Sequence, residues 1–486
     1  MNSILKIPKK ILNKYQHSSP VLKATIWFMV CSILQKAISL ITVPIFSRML
    51  TKEQYGQYSI YTSWQQIFAM ICTLRLEYSV FNKGMSKYRD RRDEYTTSMQ
   101  GLTNVTACIM LIVYLIFHRQ INELLELPTI VVLFMVLELL FTPAISFWSL
   151  RKRYDYKYKP VVIMTLMMSV LNPVLGIILV SISEEKGLAR IFSCIIVQMC
   201  FGVTIYILNL CKSKKLFSWD LWKFAFLFNL PLIPHYFSMY ILDQSDRIMI
   251  QKMVSLEAVA LYSLAYNAGA IMKIVTTSMN NALVPWIYRK LEDNDFESLR
   301  KRMISVYMLV GIIVVSFSVF APELVLFFGG EKYMESVYVI PPVSASLFFI
   351  FMYGMFGNVE IYYDANKFTM FVSLIGAGIN LILNYIFIPV FGYIVAGYTT
   401  LVCYVFFSIA HFLYMNRITK KNVNKIIYKP YTIIFISSFV ILLSIVVSLL
   451  YGNTLLRYIV VVIILLATFI ERKRVKTIIT KIVDNK

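Results

Sequence analysis

Met49-Leu-Thr-Lys-Glu-Gln-Tyr-Gly-Gln-Tyr-Ser-Ile60 recurs, altered but in register, as Met253-Val-Ser-Leu-Glu-Ala-Val-Ala-Leu-Tyr-Ser-Leu264. Met, Glu, Tyr and Ser are identical between the copies, and Leu/Val, Thr/Ser, Gly/Ala and Ile/Leu are conservative pairs. Thr51 and Ser255 are each placed to cap the helix that follows, because a short hydroxyl side chain accepts from the orphan N–H groups of a first turn. Each copy lies between two long apolar runs, and the copies are six runs apart. A parallel repeat with that spacing predicts two pseudo-symmetric six-helix lobes around a central cleft.

Working outward, a bilayer core of about 30 Å needs roughly 20 apolar residues per helix. Runs that meet this lie near 24–47, 58–82, 97–117, 127–150, 160–182, 188–211, 223–243, 258–284, 303–328, 338–360, 368–389, 392–415, 430–451 and 454–471. They predict an all-α polytopic membrane protein of about fourteen transmembrane helices. Residues 1–215 make the first lobe, 216–420 the second, and 421–486 two further helices with a basic tail. No connecting loop is long enough for a separate folded domain.

Of the 486 residues, 58% are hydrophobic and 15% charged, against about 25% charged in soluble domains. The formal charge of +22 is not gathered on one face or tail, as a nucleic-acid binder requires. Lys and Arg instead group at the ends of alternate runs, so nucleic acid is excluded as a partner and the bilayer is implied. Counting with the N-terminus inside, most of the 48 Lys and Arg residues fall on the cytoplasmic side, which predicts that both termini are cytoplasmic. Lys6, Lys9, Lys10 and Lys14, interleaved with Ile4, Leu5, Ile7, Ile11 and Leu12, read as a short interfacial helix before a retained first span. The seven cysteines lie in or beside apolar runs and read as small hydrophobes of a bundle.

Three deep cations ask for a reason, since Lys or Arg at a helix centre costs about 2.5–3.5 kcal/mol on insertion scales. Lys36 lies midway along the first run, on a face shared with Ser32 and Ser39. Lys273, in the eighth run, continues a polar stripe of Tyr262, Tyr266, Gly269, Thr276 and Asn280. Arg75 lies about two turns from the cytoplasmic end of the second run, with Gln65 and Cys72 on roughly its face. Snorkelling to an interface is open to all three, and Arg75 has Glu77 or Glu138 as a candidate partner. The functional alternative is a wet, cationic cavity for an anionic headgroup. Arg48, Glu77, His235, Asp246, Arg247 and Tyr266 are secondary candidates for that cavity or its gate. Pro231 and Pro234 predict a broken helix in the seventh run, whereas Glu360 and Asp364 are expected to be solvated.

Nothing in the chain calls for a catalytic residue, a metal or a cofactor. There is no H-E-x-x-H, Walker A or G-x-S-x-G pattern. Asp293-Asn-Asp295 matches the D-x-D pattern of glycosyltransferases, but it falls in a loop expected on the wrong side for a lipid-linked donor.

Val43-Pro-Ile-Phe-Ser-Arg-Met-Leu-Thr-Lys-Glu-Gln-Tyr-Gly-Gln-Tyr-Ser59, Thr73-Leu-Arg-Leu-Glu-Tyr78, Asp246-Arg-Ile-Met-Ile250, Leu261-Tyr-Ser-Leu-Ala-Tyr266 and Asn380-Leu-Ile-Leu-Asn-Tyr-Ile-Phe-Ile-Pro-Val-Phe-Gly-Tyr393 together resemble the polysaccharide-exporting flippases of the multidrug/oligosaccharidyl-lipid/polysaccharide (MOP) superfamily. The likeness spans roughly residues 20–415, and one departure is Ala260 where the family usually has Gly. It implies a two-lobed, V-shaped transporter of undecaprenyl-diphosphate-linked oligosaccharide units in the bacterial cytoplasmic membrane, with a polysaccharide polymerase as a possible partner and no cofactor. In the related lipid II flippases the cations assigned to the pyrophosphate lie on helices one, two and eight, and Lys36, Arg75 and Lys273 fall on those helices here. The rival within the superfamily, a cation-coupled multidrug antiporter, needs intramembrane carboxylates. The deep cations here match or exceed the deep acids Glu77 and Glu138, which favours an anionic substrate.

Overall fold

The structure is a computed structural model and describes residues 19–365 and 367–470. The expected interfacial helix before Ser19 and the basic tail from Arg472 to Lys486 lie outside the described residues. Among the described residues the fold is all-α, without a strand. Among those residues twelve helical stretches are long and apolar enough to cross a membrane. The helices of two more runs, Lys52–Thr73 and Thr454–Ile470, bring the number close to that expected.

Numbered along the chain, α1 is Pro20–Met49, α2 Lys52–Thr73, α3 Ser79–Lys87, α4 Arg92–Leu125, α5 Thr129–Phe141, α6 Pro143–Tyr154, α7 Tyr158–Ile182, α8 Lys186–Lys212 and α9 Trp219–Asn229. Then come α10 Ile233–Met253, α11 Leu256–Glu292, α12 Phe296–Val319, α13 Ala321–Gly329, α14 Ile340–Tyr362, α15 Lys367–Phe391, α16 Val395–Val423, α17 Pro430–Leu449 and α18 Thr454–Ile470. Their starts follow local chemistry. Ser19 accepts from the Leu22 N–H at 3.2 Å and Pro20 opens α1, where a missing N–H costs nothing. Thr51 and Gln54 form a reciprocal capping box on α2, at 3.1 and 3.2 Å. Ser255 accepts from the Ala258 N–H at 3.1 Å and caps α11.

The chain divides into two compact units, one of residues 19–50 and 64–236 and one of residues 51–63 and 237–470. In the first, α7 packs on α8 and carries α1, while α5 and α6 lean on α8. Glycine permits its closest approach: a Cβ on Gly101 would lie 2.0 Å from the Leu216 carbonyl oxygen, so α4 meets the backbone of the linker ahead of α9 directly. In the second unit α14 is the hub, surrounded by α11, α12, α16 and α17. The span containing it is 83% buried along its apolar window, against 6% for α1. Lipid is as apolar as leucine, so such a hub is held by dense packing and polar contacts rather than by expulsion of water.

Two runs read as continuous helices are broken. The second run is interrupted at residues 74–78, between α2 and α3, where Leu74 and Arg75 both take left-handed backbone, at φ 48° and 55°. Neither residue is a glycine, so the sequence carries no local signal for the break. A tertiary contact holds it, because the Asn229 amide donates to the Leu74 carbonyl oxygen. The fourth run is divided at Thr142 into α5 and α6. The break read at Pro231 is present: α9 ends at Asn229, a 3-10 turn covers Leu230–Leu232, and α10 starts at Ile233.

Candidate functional site

In the first unit the break after α2 turns Arg75 out of helical register. Its guanidinium pairs with the Glu77 carboxylate at 2.9 Å, with both side chains largely buried, at 13% and 15% exposure. It also lies over the Tyr78 ring, 4.0 Å from the centroid, a cation–π contact. Tyr78 meets Tyr236 at 5.6 Å between centroids, and Tyr236 meets His235 at 5.9 Å. The Arg75–Glu77 pair, one of the two partnerships the sequence offered, is thus joined to His235 through two tyrosines that sequence reasoning passed over. Two consecutive left-handed residues cost on the order of 1–3 kcal/mol each, strain of a kind that gathers at ligand sites. Glu138, the other candidate partner of Arg75, is fully buried and accepts from the Gln65 amide at 3.2 Å.

Lys36 is exposed on α1, as are Ser32 and Ser39, so the polar face read from their spacing is an outer face of that helix in its unit. It makes no ion pair among the described residues. Arg48, near the end of α1, donates to the Pro44 carbonyl at 2.9 Å, which serves a carbonyl close to the proline within the helix.

In the second unit Lys273 lies 3.8 Å from Asp243, and both are substantially exposed. Asp243 also accepts from the Tyr266 hydroxyl at 3.4 Å. The Arg247 guanidinium sits over the Tyr266 ring at 4.7 Å and donates to the Asp243 carbonyl at 3.0 Å and to Ser263 at 3.2 Å. Lys273, Tyr266 and Arg247 therefore meet around Asp243.

Asp246 is not at a solvated end. It is 2% exposed and accepts from Tyr262 at 2.5 Å, Asn384 at 2.7 Å and Thr400 at 2.8 Å. Thr399 donates to the Asn384 carbonyl oxygen, and Ser245 meets Asn380 at 3.2 Å. One carboxylate so gathers α10, α11, α15 and α16. The available signal was Asn380 and Asn384, two amides one helical turn apart in an otherwise apolar run.

Two other acidic features resolve differently from their expectation or from their motif. Glu360, expected to be solvated, is fully buried and receives the His411 Nδ1 at 2.9 Å, whereas Asp364 is exposed. Asp293-Asn-Asp295 is a turn between helices, with Asn294 left-handed and Asp295 capping α12 through the Ser298 N–H. A hydrogen bond from Lys290, joined by those from Ser298, holds the Asp295 carboxyl down at about 2.

The polysaccharide biosynthesis protein family model matches residues 21–291, and the MatE family model matches residues 231–386. "Lsg locus putative protein 1" of Haemophilus influenzae is 22% identical over 71% of this chain and 86% of its own length. Among solved structures, the lipid II flippase MurJ in an inward closed conformation is similar with a TM-score of 0.69 and 13% identity, covering 93% of this chain and 100% of that one. An inward-facing multidrug resistance MATE family transporter of the MOP superfamily is similar at 0.59 and 14%, covering 82% and 99%. With a family model matched over more than half its length, the chain belongs to the polysaccharide biosynthesis protein family, and it shares its fold with these transporters.

Proposed function

We propose that the chain moves undecaprenyl-diphosphate-linked oligosaccharide repeat units from the inner to the outer leaflet of a bacterial cytoplasmic membrane, by alternating access, for surface polysaccharide such as capsule, O-antigen or exopolysaccharide. The observation that carries this reading is Arg75, a cation held on strained backbone against one carboxylate and one aromatic face. A diphosphate brings more negative charge than Glu77 and accepts bidentately from a guanidinium, so it competes for Arg75 on favourable terms. Tyr78 and Tyr236 offer ring faces to the glycan. Lys36 and Lys273 add positive charge that the lipid-linked diphosphate uses.

Residues 1–215 and 216–420 are the two lobes that alternate, with 421–486 appended and both termini cytoplasmic. The flipped product passes to a polysaccharide polymerase. An inside-negative potential supports outward movement of the anion by about 2.3 kcal/mol per charge per 100 mV. Collapsing the potential in vesicles while keeping ion gradients slows flipping under this scheme, and an unchanged rate argues against it. In cells, Lys36→Ala and Lys273→Ala each remove surface polysaccharide while protein abundance is kept. Normal polymer in both variants refutes the cationic site.

The alternative reading is a cation-coupled multidrug antiporter, favoured by the buried Asp246 carboxylate among hydroxyl and amide groups. Under it, Asp246→Asn abolishes ion-driven efflux of organic cations from a drug-sensitive host, and the lysine substitutions leave efflux intact.

A further inference from the structure

Asn358 donates from Nδ2 to the Asn280 Oδ1 at 3.0 Å, tying α14 to α11 inside the second unit. One such bond uses one nitrogen and one oxygen of the two amides. It leaves the Asn280 nitrogen and the Asn358 oxygen, and neither has a hydrogen-bond partner among the described residues. Exchanging nitrogen for oxygen in both amides still leaves one donor beside one acceptor. Both side chains are half-buried, and the two free atoms are open to solvent. Gly354 makes room for the pair, since a Cβ there would lie 2.9 Å from the Asn280 nitrogen.

The face of α11 that carries Asn280 is polar along its length. Lys273 lies on it seven residues earlier, two turns or about 10 Å along the helix, and Lys273, Thr277 and Asn281 are exposed. Hydrocarbon does not receive such a face, because polar groups without partners are costly in lipid. Water or a ligand covers it. One turn beyond Asn358, Tyr362 meets Tyr288 of α11 edge to face, at 5.4 Å between centroids. Neither of these hydroxyls has a hydrogen-bond partner among the described residues. A donor beside an acceptor matches two neighbouring hydroxyls of a sugar ring, one accepting from the amide N–H and the other donating to the carbonyl. Tyrosine adds an apolar ring face for the C–H surface of the sugar and a polar tip for a further hydroxyl.

We propose that Asn280 and Asn358, with Tyr288 and Tyr362, form a subsite for a sugar ring bearing vicinal hydroxyls, which selects the glycosylated lipid over the bare carrier. The subsite rests on the reading of the chain as a flippase of lipid-linked oligosaccharides. Lys273, two turns away on the same face, takes the diphosphate, and the uncharged amide pair takes the sugar beyond it.

The test is a competition between two probes, undecaprenyl diphosphate and the same lipid carrying one galactose, read by native mass spectrometry of the full chain. The native chain is expected to retain the galactosyl lipid on the order of tenfold over the bare one, the size that two ordinary hydrogen bonds give. Asn280→Leu with Asn358→Leu removes that preference and keeps the binding of bare lipid. Gly357→Ala, which puts a methyl into open space beside Asn358, lowers the preference at an unchanged thermal midpoint, and it serves if the double variant does not fold. Equal retention of the two probes by the native chain, or a preference kept in the variants, overturns the subsite and leaves the proposed function standing. Loss of bare-lipid binding along with the preference makes the amide pair structural and also overturns it. A native chain that takes neither probe overturns the proposed function, and the subsite with it.

Discussion

Gly56 and Leu256 touch backbone to backbone: a Cβ on Gly56 would come within 2.0 Å of the Leu256 carbonyl oxygen. The two residues belong to the two copies of the repeated element, so the copies pack on each other inside the second unit at the starts of α2 and α11. Only the absence of a side chain allows that approach, which gives the glycine of the motif a steric cause.

Gly56→Ala therefore forces α2 away from the first turn of α11. Overpacking of this kind costs about 1–3 kcal/mol, and the obstacle is backbone, which cannot swing aside. The thermal midpoint of the purified protein falls. Gly378→Ala, where added bulk meets nothing within 4 Å, serves as the control and leaves the midpoint within a degree or two. Equal midpoints for the two variants contradict the packing account.

Arg75 separates charge from conformation. Glycine adopts its φ of 55° without strain, so Arg75→Gly keeps the break while removing the guanidinium. Abundance in the membrane is retained and transport is lost. Glu77→Gln leaves the guanidinium without its partner carboxylate, and transport is kept or increased because the substrate no longer competes with it. Measured flipping of a lipid-linked oligosaccharide in proteoliposomes decides the matter. Full activity in Arg75→Gly reduces the residue to a structural one.

Much of this was readable before any coordinate. The periodicity of apolar runs gave the helices because bilayer thickness fixes their length, and the hydroxyl caps at Thr51 and Ser255 followed from the repeat alone. The break at Leu74 and Arg75 was hidden because its cause is Asn229, about 150 residues away. His411 was overlooked for a related reason: a lone histidine in an apolar run has no local pattern, and its meaning comes from Glu360 on another helix. Asp246 was read as a candidate for the cavity or its gate because it neighbours Arg247 near the end of a run. Its real surroundings, Asn384 and Thr400, become visible only when α15 and α16 are brought beside α10.

Glu360 and His411 form a pair that is fully enclosed, with Tyr353 stacked on the imidazole at 5.6 Å and Phe368 edge-on at 5.7 Å. Removing one member strands the other without its partner, at a cost of about 3–5 kcal/mol, whereas replacing both with apolar residues of similar volume is often neutral. His411→Leu alone is thus expected to destabilise strongly, and Glu360→Leu with His411→Leu to recover most of the loss. Thermal unfolding of the two variants is the measurement. A double variant as unstable as the single one shows that the pair does more than satisfy itself.

The last helix is fastened by a polar clasp whose pH dependence has a definite sign. Arg457 binds Glu323 with both guanidinium nitrogens at 2.7 Å and reaches the Val319 carbonyl at 3.2 Å, while Tyr458 donates to the same carboxylate at 2.8 Å. Burial alone raises the Glu323 carboxyl, but the hydrogen bonds from Arg457 and Tyr458 outweigh it and hold the group below its ordinary value. A carboxyl depressed in the folded state contributes stability at pH above its unfolded value, roughly 4.3, and loses it as the pH falls through the folded value. Acidification below about 4 therefore loosens α18 from α13 first, and the effect is modest because Glu323 is 37% exposed and screened by solvent. Protection of the Thr454–Ile470 amides from hydrogen exchange, taken against the intrinsic rate at each pH, should fall over that window in the native chain. In Glu323→Gln, which carries no charge to lose, protection is lower at neutral pH and flat across the same window. A native profile as flat as that of the variant removes the clasp as the fastening of this helix.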